Sequence, residues 1–440
     1  MKKSISSVRW NIVALLAGFS FVSYVERMNI SVAAKFMMPA FSLTQVQMGQ
    51  VFSSFLLGYA LFQVPAGYLG DRYGPRLILT TAALTWAVTT LLTGLLPGLV
   101  VGGTLGVLVT LVVVRFLLGV GEAATYPVAA RAIASWIPAS EWAFSNAIVV
   151  AGLSAGSAVT PPLISWLMIH VGWRASFYVS SVLALMVAIC WMQYSTDHPR
   201  KHPRISQREL SLILSGQPDQ SSIPAKSPSW VKLLRDRNLL LISLSYFFDG
   251  YVLYIFVFWL YTYLVEVRGF SILGGGIFAS LPFIVSSVLT VTGGVLCDWL
   301  SARVGRRWGC RAIAITGFSL SAIFLFLSAG VRNPYIAIAG LALSVGFVQF
   351  TEGAFWSAAI SVSGVHAGAA TGIMNMLGNL GGAASTAMVP ILVQHFGWIF
   401  ALGSGSALAA IGGILWLGIQ ADRPLELAEK TGSSKRTNSS

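Results

Sequence analysis

Twelve runs of about 20 apolar residues recur along this chain, and they constrain its fold more than any other feature. Each is long enough to cross a hydrocarbon core of about 30 Å as a helix, which satisfies all its backbone hydrogen bonds within one segment. The runs fall at 11–33, 45–69, 77–96, 101–126, 142–168, 173–194, 239–265, 273–297, 311–330, 334–361, 369–394 and 398–419. They predict an all-α polytopic membrane protein embedded in a lipid bilayer by twelve transmembrane helices.

Composition points the same way: of 440 residues, 55% are hydrophobic and 10% charged, against about 25% charged in soluble domains. A net charge of +13 would suit a nucleic-acid binder, but its distribution follows membrane topology instead. Lys2, Lys3 and Arg9 precede the first run, and Arg72 and Arg76 follow the second. Arg303, Arg306, Arg307 and Arg311 lie between the eighth and ninth, and Arg423 and Lys430 are in the tail. The opposite loops are short and nearly uncharged, so the positive-inside rule places both termini in the cytoplasm. No nucleic-acid partner is expected. The first run lacks a small-residue cleavage site and is too long for a signal-peptide core, so it is expected to stay in the mature protein. Cys190, Cys297 and Cys310 have no paired spacing and predict neither a disulfide framework nor a metal site.

Between the sixth and seventh runs, residues 197–238 are polar, basic and rich in Pro and Ser, with too few apolar residues to bury a core. They read as a cytoplasmic linker joining an N-terminal six-helix bundle (1–196) to a C-terminal one (239–421). A cytoplasmic tail, 422–440, is expected to be disordered after Asp422. An internal echo supports the division. "GYLGDRYGPR" (67–76) follows the second run and "GGVLCDWLSARVGRR" (293–307) follows the eighth, each with glycines, an Asp and then basic residues. Six-helix repeats around a central site are a transporter plan.

Six ionisable residues fall at predicted membrane depth: Glu26 and Arg27 in span one, Arg115 and Glu122 in span four, Asp249 in span seven and Glu352 in span ten. A charge at mid-bilayer costs about 2.5–3.5 kcal/mol on insertion scales, so such residues are functional or paired. Arg115 and Glu122 are seven residues apart, which stacks them on one helix face roughly 10 Å apart along its axis. That face must line protein or water. An arginine there matches a carboxylate with its planar fork and stays charged at any working pH. An acid beside it gains a proton more easily once an arriving anion occupies the arginine. Two readings remain open: coupling of this kind, or neutralising pairs that only hold helices together, with Asp249 as an interfacial or gating contact.

The motifs carry a resemblance. "GYLGDRYGPR" resembles the G-x-L-x-D-R-x-G-x-R loop of the major facilitator superfamily, and "RFLLGVGEA" (115–123) resembles its R-x-x-x-G-x-G span-four motif. "YVERMNISVA" (24–33), "GEAATYPV" (121–128), "YTYLVEVRGFS" (261–271) and "GIMNMLGNLGG" (372–382) are similar to the anion:cation symporter family within it. That family includes bacterial proton symporters for galactonate, glucarate and hexuronates. This chain departs from its pattern in having Glu26-Arg27 for Asp-Arg, "WLYTYL" (259–264) without the usual proline, and Ser361 where many members have Asp.

The resemblance implies a major facilitator fold, secondary active transport by alternating access, and a bacterial inner-membrane location. It further implies that Arg27 binds a substrate carboxylate, that Glu122 carries the coupled proton and that Glu26 with Arg115 forms the switching pair. The implied cargo is a small organic anion, foremost a sugar acid (a hexonate, hexuronate or aldarate), with protons as coupling ion, no cofactor and a monomeric protein. An exporter or antiporter of the same fold, or a transporter of another carboxylate, is the rival. A membrane-embedded enzyme is not expected, since no P-loop, metal-ligand cluster or nucleophile elbow occurs.

Polar and aromatic pairs at helical spacing fit a hydroxylated ligand: Tyr59 with Gln63, Asn375 with Asn379, Trp356 four residues after Glu352, and Tyr24 beside the charged pair. Interhelical hydrogen bonding is the alternative use of these residues. The resemblance implies a gating role for Asp71 and Arg72 at the cytoplasmic loop, with Asp71 expected near a helix N-terminus. Gly152 and Gly156 predict close helix packing in span five, with Pro161 and Pro162 bending it.

Overall fold

Helix starts in the computed structural model coincide with capping signals in the sequence. Thr44 and Gln47 form a reciprocal capping box, Ser271 accepts from Gly274 N, and Asn333 caps a helix whose first residue is Pro334. The structure describes residues 8–138, 141–215, 233, 235–363 and 367–423. Among these, twelve helices are long and apolar enough to cross a membrane. Spans one to six are Val8–Ala40, Gln45–Tyr73, Pro75–Leu95, Gly103–Trp136, Trp142–His170 and Trp173–Tyr194. Spans seven to twelve are Arg237–Glu266, Ile272–Val304, Arg306–Gly330, Pro334–Ser363, Ala367–Phe396 and Trp398–Leu415. Several overrun their apolar runs, because hydropathy marks only the part of a helix meant for hydrocarbon and not its turns at the interface.

The internal echo has a backbone counterpart. Gly74 (φ 87°, ψ 154°) separates spans two and three, and Gly305 (φ 85°, ψ 153°) separates spans eight and nine. Both conformations lie in the region that disfavours a Cβ, so a glycine is needed where one helix stops and the next begins with no loop.

Two spans are interrupted. In span four one helix ends at Glu122 and another runs from Thr125 to Trp136, ten residues beyond the predicted end of the run. In span ten a helix ends at Phe350 and the next starts at Glu352. An acidic side chain therefore flanks each break.

Within bundles, glycines let backbones approach. A Cβ on Gly152 would strike the Ala17 carbonyl and one on Gly156 the Phe21 carbonyl 2.5 Å away, which confirms the close packing expected of span five, here against span one. Gly119 abuts the Phe55 carbonyl, and Gly381 abuts that of Phe247. Cys297 and Cys310, unpaired by spacing, meet across spans eight and nine with sulfurs 3.7 Å apart and remain free thiols.

The contacts that join spans one to six to spans seven to twelve lie at mid-depth and toward the face opposite the termini. Ser53 donates to the Ala383 carbonyl (2.8 Å), Ser280 donates to the Ala158 carbonyl (2.5 Å), and Phe52 stacks on Phe258 with centroids 4.8 Å apart. At the far rim Lys35 pairs with Glu266 (3.0 Å), which also accepts from Gln45 (3.1 Å).

The described part of the 197–238 segment contains a short helix, Gln207–Ser215, held to the start of span one by the Arg9 N–H, which donates to Glu209 at 3.0 Å. Its 216–232 portion and the tail from 424, where disorder was expected, lie outside the described residues.

Candidate substrate and coupling site

Span one carries Glu26 and Arg27 into the interior, where they are 0% and 2% exposed. Desolvating a guanidinium requires compensation, and Arg27 receives it from three sides. Its Nη2 and Nε both donate to Oε2 of Glu122, at 2.9 and 3.3 Å, and its Nη1 donates to the Tyr254 hydroxyl at 3.0 Å. The rings of Tyr24, Tyr59 and Phe55 surround the guanidinium carbon at 4.7, 4.7 and 5.1 Å, within cation–π range. Glu122, 1% exposed, uses only one oxygen in the pair; Oε1 has no hydrogen-bond partner.

The second bundle completes the site. Tyr254 of span seven donates to Oδ1 of Asn379 at 2.8 Å, and Asn379 donates back to the Asn375 carbonyl at 2.8 Å. A chain of bonds thus runs from Glu122 in span four through Arg27 and Tyr254 to span eleven, crossing between the bundles. Gln63 donates to the Tyr59 hydroxyl at 3.3 Å and leaves its own Oε1 unpartnered and buried. Of the predicted residues, Arg27, Tyr24, Tyr59, Gln63, Glu122, Asn375 and Asn379 therefore converge.

Three expectations need correction. Arg115 does not pair with the Glu26 carboxylate: its Nη1 and Nη2 donate to the main-chain carbonyls of Glu26 and Arg27, at 3.3 and 3.2 Å, while Glu26 accepts from Thr90. Seven residues of helix put Arg115 at the level of the backbone that holds Arg27 rather than at the carboxylate beside it. Asp71 lies not at a helix N-terminus but in the last turn of span two, because the helix runs on to Tyr73 before Gly74 can stop it. There it faces Arg131 of the span-four extension at 3.6 Å, an exposed pair, while Arg72 lies over the Tyr73 ring. Asp249 is no interfacial contact. It is 1% exposed and accepts from the Thr351 hydroxyl at 3.3 Å, at the break in span ten.

Glu352 and Trp356 form a neighbouring cluster. Glu352 accepts from the Tyr246 hydroxyl (3.0 Å) and from Trp356 Nε1 (2.8 Å), and Trp356 is itself 39% exposed. Tyr246 packs on Gly378, next to Asn379, which links this cluster to the central one.

Sequence reasoning missed Tyr254, Thr90, Phe55 and Tyr246. A tyrosine inside an apolar run was the available signal, since a buried hydroxyl needs a partner. Span seven carries five tyrosines between 246 and 263, so composition alone could not single out Tyr254.

Two helix bundles that enclose a buried, cross-linked charge site and bond to each other mainly toward one face define a multi-pass membrane transporter. The chain belongs to the Major Facilitator Superfamily, whose pattern matches residues 16–386. It is 32% identical to a protein named as a probable sulfoacetate transporter of Cupriavidus necator, over 90% of each chain. It is 28% identical to a probable galactarate/D-glucarate transporter of Escherichia coli, over 90% of this chain and 89% of the other. It is 26% identical to a hexuronate transporter of Bacillus subtilis, over 88% of this chain and 90% of the other. These relatives agree with the resemblance to the anion:cation symporters. Among solved structures, a bacterial homolog of the human lysosomal transporter Spinster, inward-facing and occupied, covers 94% of this chain and 97% of its own at 17% identity, with a TM-score of 0.73. A D-xylose–proton symporter superposes with a TM-score of 0.68 at the same identity.

Proposed function

We propose that the protein is a proton-coupled symporter that takes up a small hydroxylated organic anion, foremost a sugar acid, across a bacterial inner membrane with both termini cytoplasmic. The reading rests on one observation: Arg27, the fork-shaped cation at the centre, is occupied by the carboxylate of Glu122. An arriving anion competes with that carboxylate for the same donors. Displaced, Glu122 would be a buried charge without a partner, a loss of about 3–5 kcal/mol unless it takes a proton. Anion binding at Arg27 and protonation of Glu122 are thereby the same event viewed from two sides.

Tyr254, Asn379, Tyr59 and Gln63 supply donors and acceptors for hydroxyl groups around the anion, and the aromatic rings cover its apolar face. Arg115 acts as a brace on the main chain that presents Arg27. With the termini in the cytoplasm, the bonded face is the outer one and the conformation is open inward. Sulfoacetate is a second candidate cargo, favoured by the 32% identical relative; its sulfonate would fit the same fork.

Calorimetry on the purified protein tests the reading with hexonates, hexuronates, aldarates, sulfoacetate and the neutral lactones of the same sugars. An anion is expected to bind and its lactone to bind poorly. Equal affinity for the two would reject Arg27 as an anion site.

A further inference from the structure

A recess of about 840 Å³ lies in the first bundle at the face that carries the termini, apart from Arg27. Ala14, Leu15 and Cys190, on the membrane-spanning helices, form its apolar wall; Asn11, Arg76 and Arg204 form its polar rim. Leu15 and Arg27 are twelve residues apart on one helix, about 18 Å, so the recess is no part of the central site.

The rim is held in place. Arg76, at the start of span three, donates through Nε and Nη2 to the Met192 carbonyl, at 3.1 and 2.7 Å, which fixes its guanidinium at the end of span six. Its backbone N–H is held by Asp197 at 2.8 Å. Asn11 donates to the Tyr194 hydroxyl at 2.7 Å. His202, buried beneath the rim, bonds through Nε2 to the Tyr194 carbonyl (3.0 Å), and its Nδ1 accepts from Arg204 N (3.3 Å). That pattern needs a neutral imidazole, and burial holds His202 below the usual histidine range, with Arg204 nearby acting in the same direction. None of the four ion pairs among the described residues includes Arg76 or Arg204. Two cations, Arg76 at the start of span three and Arg204 in the turn before the Gln207–Ser215 helix, therefore stand over an apolar wall, in the order in which a lipid presents its phosphate and then its acyl chains.

We propose that this recess binds an anionic phospholipid from the leaflet on the side of the termini, its phosphodiester held by Arg76 and Arg204 and its upper acyl carbons laid along Ala14, Leu15 and Cys190. A soluble phosphate would use the arginines but leave the apolar wall bare. The transported anion would need a route from a recess confined to one bundle.

Native mass spectrometry of the full-length protein from mild detergent, titrated with phosphatidylglycerol or phosphatidylcholine, tests this. The wild type is expected to retain one phosphatidylglycerol in preference to phosphatidylcholine. Arg204→Gln, and the Arg76→Gln/Arg204→Gln double variant, are expected to lower that retention about fivefold per arginine removed, as follows from ~1 kcal/mol per basic residue at an anionic surface. Should the double variant fail to fold, Arg204→Gln alone decides. Unchanged retention in Arg204→Gln, equal retention of the two lipids by the wild type, or displacement of the lipid by millimolar glycerol 3-phosphate would each overturn the proposal.

Discussion

Arg27 concentrates the chemistry of the molecule in one side chain: two donors to Glu122, one to Tyr254 and three rings around its charge. Lysine at that position keeps the charge but loses the fork, so Arg27→Lys is expected to bind the anion more weakly and Arg27→Ala to lose it almost entirely. A hydrogen bond to a charged group contributes about 1.5–3 kcal/mol, which makes the expected fall in affinity for alanine on the order of a hundredfold or more; titration calorimetry reads it. Normal binding by Arg27→Ala would place the anion elsewhere. Tyr254→Phe removes the hydroxyl that receives from Arg27 and donates to Asn379, and a loss of about 0.5–1.5 kcal/mol, up to roughly tenfold in affinity, is expected. At this scale the sequence was legible where charge broke an apolar run, as at Arg27 and Glu122. It did not single out Tyr254 or Thr90, because span seven holds several tyrosines and span three several threonines, and a lone hydroxyl barely alters the hydropathy of its run. The partner of Arg115 differs from the one the resemblance implied, because its Nη1 and Nη2 donate to main-chain carbonyls, which no pattern of charged side chains marks.

Helices show the same division between what patterning reveals and what contact decides. All twelve spans could be read from apolar run length. The breaks after Glu122 and before Glu352 could not: Gly121 and Pro127 flank the first and Gly353 follows the second, but glycines and prolines also lie inside unbroken spans, as Pro65 and Pro282 do, so they mark no stop by themselves. Close helix approach is encoded by glycine, and spans seven and eleven depend on it: a Cβ at Gly381 would collide with the Phe247 carbonyl. Gly381→Ala is expected to lower stability by about 1–3 kcal/mol, the usual cost of overpacking, seen as a lower melting temperature. An unchanged melting temperature would mean that these spans are free to part. At the far rim, Lys35 and Glu266 are 33% and 27% exposed, and exposed pairs contribute about 0.2–1 kcal/mol. Glu266→Gln is therefore expected to shift the balance toward a conformation opened at that face by no more than about fivefold, read from distances between spin labels on spans one and seven. A distance distribution identical to wild type would remove this pair from the gate.

At the scale of the whole molecule, the Arg27–Glu122 site lies between two bundles that touch mainly on one side, and the proposed alternating-access cycle would require that contact to exchange sides. Asp71 and Arg131, paired across the ends of spans two and four, sit on the opposite face, which the proposed cycle would have to close. Asp71→Asn is expected to slow turnover several-fold while leaving anion affinity within about twofold, since the pair is exposed and remote from Arg27; lost affinity with normal turnover would contradict a gating role. The central claim is that the anion and the Glu122 carboxylate compete for Arg27, with a proton released or taken as the exchange occurs. Uptake by Glu122→Gln in proteoliposomes tests it most directly, because the neutral amide imitates the protonated acid at every pH. The variant should still exchange labelled anion across the membrane at equal concentrations, yet fail to accumulate it when a pH gradient is imposed, whereas the wild type does both. Accumulation by Glu122→Gln to the wild-type level under the same gradient would contradict the claim.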